Sequence, residues 1–509
     1  MVNGLSMSFR FAVPELEASL AADMSPRRLN ALLPELGDMT APEAARTLNG
    51  YLHTANRAPA RTDDRLRMLE AVLPMSKELL VELALLYETG AIPLVGEARD
   101  AASSARTLQL ELGYGYKRVL MEHTQKLTAE GQKALPFLLC RAMRALADSL
   151  VTAYCTYSPT AAGTWQEIHH IFHYAQFYGL DGSVVEDTYS HHDTTLGAIY
   201  REVLLFALID PYHLQPGEAR TVIELVAHFQ RFLQVEPYRE VDQPEGLFLI
   251  QAGQDKPPRS LTSAGGALIS PMDKLLDTGR LVSELSASRR RSEAGDVAEL
   301  NLIPVAEGRG SLHSLLARLE RHWSNPPRRS FPRTSGRETA EVAHGITMLA
   351  QVLGLRADQP GEHTEIWQVS NESPGGLALR REGDSVTSAT VGEVVGIRHP
   401  GVANWQPGVV RWMHDQHDAL LECGVQILAP AYQVVSFSVN DRPEGEVHRG
   451  LLLPAMAALG RPALLLAARG TFQPGREGTL NGADGELSLR MLRMDDHTQQ
   501  VELIDFELS

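Results

Sequence analysis

QVSNESPGGLAL, residues 368–379, decides the reading of the second half of this chain. It sets Asn371-x-Ser373-x-x-Gly376 at the end of a strand predicted over EIWQVSN (365–371), with turn residues behind it. An amide, a hydroxyl and a glycine at a strand end form a corner that can hydrogen-bond a ligand and admit close backbone approach. Chance alone gives about a fifth of an Asn/Asp-x-Ser-x-x-Gly match in such a composition, so the pattern is informative.

Short strands continue on the C-terminal side: TVGEVVGI (390–397), GVVRWM (408–413), LLECGVQIL (420–428) and AYQVVSFSV (431–439). Turn signals every ten residues or so between them predict an antiparallel barrel or sandwich. A further strand-rich stretch, 449–509, holds PALLLAARG, GELSLRML and QQVELIDFEL. On the N-terminal side, PRRSFPRTSGR (327–337) gathers Arg328, Arg329, Arg333 and Arg337 after a Pro-Pro break, in a chain of formal net charge -16. Arg329 and Arg333 form an RxxxR pair. Because nearly every basic residue here is arginine, about three such pairs arise by chance, and alone the pair reads as a solvated linker. Its place ahead of the 371–376 corner gives it weight.

RRSFPR followed by NESPGG resembles the signature of the PilZ domain, a small β-barrel receptor for the bacterial second messenger cyclic di-GMP. The run VGEVVGIRHPG…WQPGVVRWMHDQHDALLECGVQIL is similar to strands of that family, and the likeness covers about 330–440. By resemblance, Arg329 and Arg333 match the RxxxR pair and Arg328 the arginine that often precedes it. Asn371, Ser373 and Gly376 match the second half; Arg337 lies outside the pattern. The spacing between the halves is longer than usual, which places an insertion between Arg337 and Ile366, at GLRADQPGEH. The family is associated with motility, pili, biofilm polysaccharide and virulence.

The chemistry fits those residue types. Cyclic di-GMP carries two phosphates and two guanines. A guanidinium forks onto phosphate oxygens, pairs with guanine O6 and N7, and stacks flat on the purine. Asn371 and Ser373 suit hydrogen bonds to guanine or phosphate, while Gly375 and Gly376 permit a tight turn. Trp412, after Arg411, reads as packing rather than as a base-stacking contact.

The first 235 residues or so read as successive helices. Leu66, Leu69, Val72, Leu73, Leu79, Leu80, Leu83 and Leu86 recur at helical spacing, with Pro74 marking a kink or break. Leu135, Leu138, Leu139, Ala142, Met143, Leu146 and Leu150 draw a second stripe, capped by Thr128. Further helices are predicted over 97–125, 163–178, 194–208 and 216–233. Residues 236–325 are mixed: GLFLIQAG (246–253) as a strand, Arg289–Arg291 opening a polar loop, and a helix over Leu312–Trp323.

Hydrophobic residues make up 44% and charged residues 22%, an ordinary globular composition. The acidic balance argues against a protein that coats nucleic acid. Cys140, Cys155 and Cys423 are scattered without CxxC spacing, which fits a reducing compartment. No signal-like start is present, and Leu451–Ala468 is broken by Pro454, Arg461 and Pro462, so no membrane span and a cytoplasmic location are expected. No Walker loop, GxSxG, GGDEF or EAL sequence appears, so no catalytic activity is expected.

The expected fold is multidomain α+β. A helical bundle or hairpin array (1–235) is followed by a mixed connecting segment (236–325), an antiparallel PilZ-like β-barrel (326–440) and a C-terminal β-rich segment (441–509). The expected function is a cyclic di-GMP receptor without cofactor or resident metal, coupled to a protein partner through the helices. A helical scaffold or chaperone-like adaptor whose barrel has lost the nucleotide is the alternative. A metal-dependent helical enzyme using His169, His173 and His191 is a poorer third, because the first two flank a packing stripe.

Overall fold

Helices form where an apolar stripe and a cap coincide. The computed structural model describes residues 9, 11–88, 92–125, 129–186, 193–293, 309–326, 334–336, 338–346, 349, 364–382, 389–416, 420–440, 447–456, 462–482 and 485–508. The chain divides into two compact units.

The first unit (Met1–Gly90, Leu94–Pro211, Gly217–Pro327) carries α1 (Pro26–Gly37), α2 (Ala41–Arg57), α3 (Thr62–Tyr87), α4 (Gly96–Gln125), α5 (Ala129–Cys155), α6 (Thr164–Phe177), α7 (Leu196–Leu208) and α8 (Glu218–Phe229). Ser25 Oγ caps α1 by accepting from Arg28 N at 3.3 Å, and Glu43 reaches back to the Thr40 N–H at 3.3 Å ahead of α2. Successive long helices pack as hairpins, α3 on α4 and α4 on α5. Gly115 permits the first crossing, since a Cβ there would lie 2.6 Å from Leu69 Cδ2. Pro74 does not break α3. Met68, Leu69 and Val72 before it and Leu79 and Leu83 after it bury one face, and that burial outweighs a lost hydrogen bond. Thr128 lies outside the described residues.

The mixed segment belongs to this unit. Strands β1 (Gln234–Pro237), β2 (Leu247–Ile250), β3 (Arg259–Ser260) and β4 (Lys274–Asp277) form a sheet of order β1-β4-β2-β3. Helices α9 (Gly279–Glu293) and α10 (Arg309–Ser324) follow. Arg289–Arg291, read from sequence as a loop, end α9 instead. Arginine is a good helix former, cations suit a helix C-terminus, and Arg289 Nε donates to Glu320 of α10 at 3.1 Å.

The second unit (Ala91–Pro93, Tyr212–Pro216, Arg328–Ser509) holds two closed six-stranded antiparallel barrels. The first consists of β6 (Thr339–His344), β7 (Thr364–Ser373), β8 (Gly376–Glu382), β9 (Val394–Arg398), β10 (Gln406–Gln416) and β11 (Leu420–Ile427). They pair in the ring β6-β7-β8-β11-β10-β9, and the short β5 (Thr334–Ser335) adds to β7. The second barrel is β12 (Gln433–Val439), β13 (His448–Leu453), β14 (Leu464–Ala468), β15 (Glu477–Gly482), β16 (Gly485–His497) and β17 (Val501–Leu508), in the order β12-β13-β14-β17-β16-β15. So AYQVVSFSV, read as the last strand of the first barrel, starts the second: β12 pairs with β13 and β15. Between the barrels, Val394, Trp405 and Val409 pack with Leu451, Leu464, Leu466 and Leu503 in one apolar cluster.

Candidate functional site

The 371–376 corner is the tip of the β7–β8 hairpin. Ser373 faces Gly376 across a Pro374–Gly375 turn, and the Ser373 hydroxyl donates to the Gly376 carbonyl at 3.1 Å. Gly376 is needed for closeness rather than for an unusual φ. A Cβ there would lie 2.2 Å from the Val425 carbonyl oxygen of β11. Asn371 follows a bulge in the β7–β8 register, opposite Ala378. Its Oδ1 is buried and, among the described residues, has no hydrogen-bond partner. Such an acceptor costs about 1–3 kcal/mol until a donor reaches it.

On the other side of β7 lies the chain that leaves the arginine run. Thr334 pairs with Glu372 and Ser335 with Asn371, and the Thr334 hydroxyl donates to the Glu372 carbonyl at 3.4 Å. Gly336 then passes tightly over β7, where a Cβ would lie 2.7 Å from the Val369 carbonyl oxygen. Below it β6 continues along β7, so the long spacing between the two motif halves contains a full barrel strand. Arg328, Arg329, Arg333 and Arg337, and the stretch GLRADQPGEH, lie outside the described residues. Asn371, Ser373 and Gly376 are brought together, and the residue that follows Arg333 in the chain pairs one position from Asn371.

The barrel carries charges that sequence reading did not single out. Glu365 accepts from Arg381 Nη1 at 2.6 Å and from Trp367 Nε1 at 3.0 Å, with the Arg381 guanidinium over the Trp367 ring. His344 lies between Glu365 (3.8 Å) and Glu393 (3.4 Å), within ion-pair range but beyond good hydrogen-bond geometry. Burial pulls its pKa down, but the two carboxylates outweigh burial and hold it at about 9. Arg411 donates to Gln426 at 2.7 Å and to Asp496 of β16 at 2.6 Å, linking the barrels. Trp412 packs on Gly424, where a Cβ would meet the indole nitrogen at 1.8 Å. His344, Glu365, Arg381 and Glu393 scatter over β6, β7, β8 and the residue before β9, and no local motif announces them.

His169 has partners of its own. His169 is 1% exposed, its Nδ1 lies 2.8 Å from the Tyr200 hydroxyl and its Nε2 3.0 Å from the Lys256 carbonyl oxygen. Burial holds it below the ordinary imidazole pKa, and both ring nitrogens are occupied. His173 is likewise lowered by burial, and His191 lies outside the described residues.

Three family models match in order along the chain. They are described as the N-terminal domain of the cyclic-di-GMP receptor FimW (residues 27–240), its middle PilZ domain (356–433) and its C-terminal beta-barrel domain (436–509). The boundary between the last two falls at the start of β12, where the fold passes from one barrel to the next. The arginine run precedes the middle match. The chain is also 24% identical to the cyclic-di-GMP receptor FimW of Pseudomonas aeruginosa, over 93% of this chain and 89% of that protein. No solved structure matches. Among the described residues, no helix is long and apolar enough to cross a membrane.

Proposed function

Since this chain belongs to the PilZ-domain family with an N-terminal helical domain, we propose that it is a cyclic di-GMP receptor without catalytic activity of its own. The nucleotide binds at the β7–β8 tip. Asn371 Oδ1 takes a donor from guanine, and Ser373 supplies a hydroxyl beside it. Gly376 keeps the tip clear of side chain, while Arg328, Arg329 and Arg333 clamp phosphate and guanine.

One observation carries this reading: β5 pairs with β7 at Glu372 and Asn371, which ties the end of the arginine segment to the corner. The unfilled Asn371 acceptor supports it independently. Ligand binding orders the arginine segment on the barrel, and a partner of the helical unit reads the change. Such coupling requires the nucleotide to bind the two states with different affinity. The chain's three free cysteines fit action in a reducing compartment, the cytoplasm.

The test is calorimetric titration with cyclic di-GMP of the wild type and of Arg329→Ala/Arg333→Ala. Strong binding lost in the double variant upholds the site. Equal binding by both moves the site elsewhere, and binding by neither leaves the adaptor reading.

A further inference from the structure

One end of the small sheet carries two loops, residues 251–258 after β2 and 261–273 before β4. β2 and β4 are antiparallel with Ile250 opposite Lys274, so both loops emerge at the same edge. Helix α6 runs along them one turn at a time. The Asp255 carboxylate accepts from the N–H groups of Gly163 and Trp165 at 2.6 and 2.9 Å, and His169 Nε2 lies 3.0 Å from the Lys256 carbonyl oxygen. His173 and, past the end of α6, Asp181 both lie within electrostatic reach of Lys274. The next residue on that stripe is Phe177. It is 54% exposed, and its ring meets that of the exposed Tyr178 edge-on at 5.0 Å.

The longer loop is ordered without being covered. Asp273 is buried and accepts from the N–H groups of Ser270 at 2.8 Å and Ala252 at 3.1 Å, while Gln251 Nε2 donates to the Leu268 carbonyl at 3.2 Å. So pinned, the loop turns its apolar side chains outward. Leu268 is 92% exposed, more than any other large apolar residue among the described ones, and Ile269 and Met272 are exposed beside it. A lone surface leucine is ordinary; five exposed apolar side chains on adjoining segments mark an interaction surface.

Charge says what that surface meets. The two loops contain only two carboxylates, Asp255 and Asp273, and both are turned onto backbone N–H groups. Lys256 and Arg259 are exposed on the same loops, in a chain of formal net charge -16. A protruding aliphatic tip needs no matching pocket when what receives it is fluid. Aromatic rings at its base and cations around it suit the interfacial zone and the anionic headgroups of a bilayer. A loop already pinned loses little freedom on insertion.

We propose that this edge of the helical unit docks on an anionic lipid surface. Leu268 and Ile269 insert, Phe177 and Tyr178 lie at headgroup level, and Lys256 and Arg259 face lipid phosphates. The attachment is peripheral and calls for no membrane-crossing helix. It is independent of the nucleotide site, and its test uses no nucleotide.

The test is co-sedimentation of the full-length chain with vesicles of phosphatidylglycerol and phosphatidylethanolamine, and with vesicles of phosphatidylcholine alone. At low salt the wild type partitions onto the anionic vesicles about tenfold more strongly than onto phosphatidylcholine. Leu268→Ser/Ile269→Ser lowers that partition about tenfold with Tm unchanged, since neither side chain is buried. Lys256→Gln/Arg259→Gln lowers it about tenfold on the anionic vesicles and leaves phosphatidylcholine unaffected. Leu268→Trp adds an emission that bromine on the lipid acyl chains quenches. No partition by the wild type overturns the lipid assignment and leaves the loop to a protein partner. Equal partition by the wild type and Leu268→Ser/Ile269→Ser, or a tryptophan at 268 that the bromine does not quench, overturns the insertion of the tip.

Discussion

The two barrels of the second unit close with the same number of strands and differ in what they do with charge. The C-terminal barrel is filled by Val435, Phe437, Leu465, Leu489, Met491 and Ile504. Its buried carboxylate, Glu502, is fully answered by the N–H groups of Gly470, Thr471 and Phe472 at 3.0, 3.0 and 2.7 Å. The PilZ barrel keeps a hydrogen-bond acceptor unanswered at Asn371 and holds His344 between two carboxylates. It also has a seventh strand, β5, laid on β7 beside the open corner. Closure removes sheet edges in both cases. Both barrels pair buried charges internally, and among the described residues the first also leaves the Asn371 acceptor without a partner, the group that the proposed site would use. Substitutions should therefore separate stability from binding, each barrel answering in its own currency.

The largest expected effect is on binding. On the proposed site, Arg329→Ala/Arg333→Ala would remove two charge-assisted contacts of about 2–3 kcal/mol each, so cyclic di-GMP affinity should fall by about 10³- to 10⁴-fold. Tm stays within a degree or two in the absence of nucleotide. A large fall in unliganded Tm would mean that the arginines hold the barrel together, and the contrast between the barrels would fail.

Next comes pH. The folded-state pKa of His344, about 9, stands above its ordinary 6.5, so its protonated form stabilises the fold. That contribution is complete below about pH 6.5 and is lost as pH rises through 9, to a total of about 3 kcal/mol. Urea unfolding between pH 6 and 10 should show this loss in the wild type. His344→Gln should flatten it, while substitutions confined to the C-terminal barrel leave the slope unchanged.

The reverse experiment belongs to the C-terminal barrel. Glu502→Gln turns one acceptor oxygen into an amide that faces backbone donors, so stability falls by about 2 kcal/mol. Nucleotide affinity should not move. A shift in affinity would show that the barrels, joined through Arg411–Asp496 and the apolar cluster, act as one device.

How far the sequence reveals this arrangement depends on how local each feature is. Helices α3 to α8 are legible because their stripes repeat within a few turns. The 371–376 corner is legible because strand, polar pair and glycine lie together. The barrel to which a strand belongs is not local. AYQVVSFSV alternates correctly for either barrel, and only its partners, β13 and β15, assign it to the second. β6 is short and carries Glu341 and His344, so TAEVAH gives little strand signal although it closes the first ring. Gly376 was readable as a necessary glycine, but its reason, the Val425 carbonyl of another strand, was not. The Asn371 orphan depends on every neighbour in space, and a linear pattern cannot show it.

That orphan gives the smallest and sharpest test. Asn371→Ala removes an acceptor that contributes no hydrogen bond among the described residues, so relief of its desolvation cost offsets the lost packing and the variant should be as stable as the wild type or more stable by about 1 kcal/mol. The same change deprives guanine of one hydrogen bond, worth about 1 kcal/mol, and so weakens cyclic di-GMP binding about fivefold. Denaturation and calorimetry on one preparation read both quantities. If stability falls while affinity holds, Asn371 serves the barrel as Glu502 serves its own, and the corner loses its claim to the ligand.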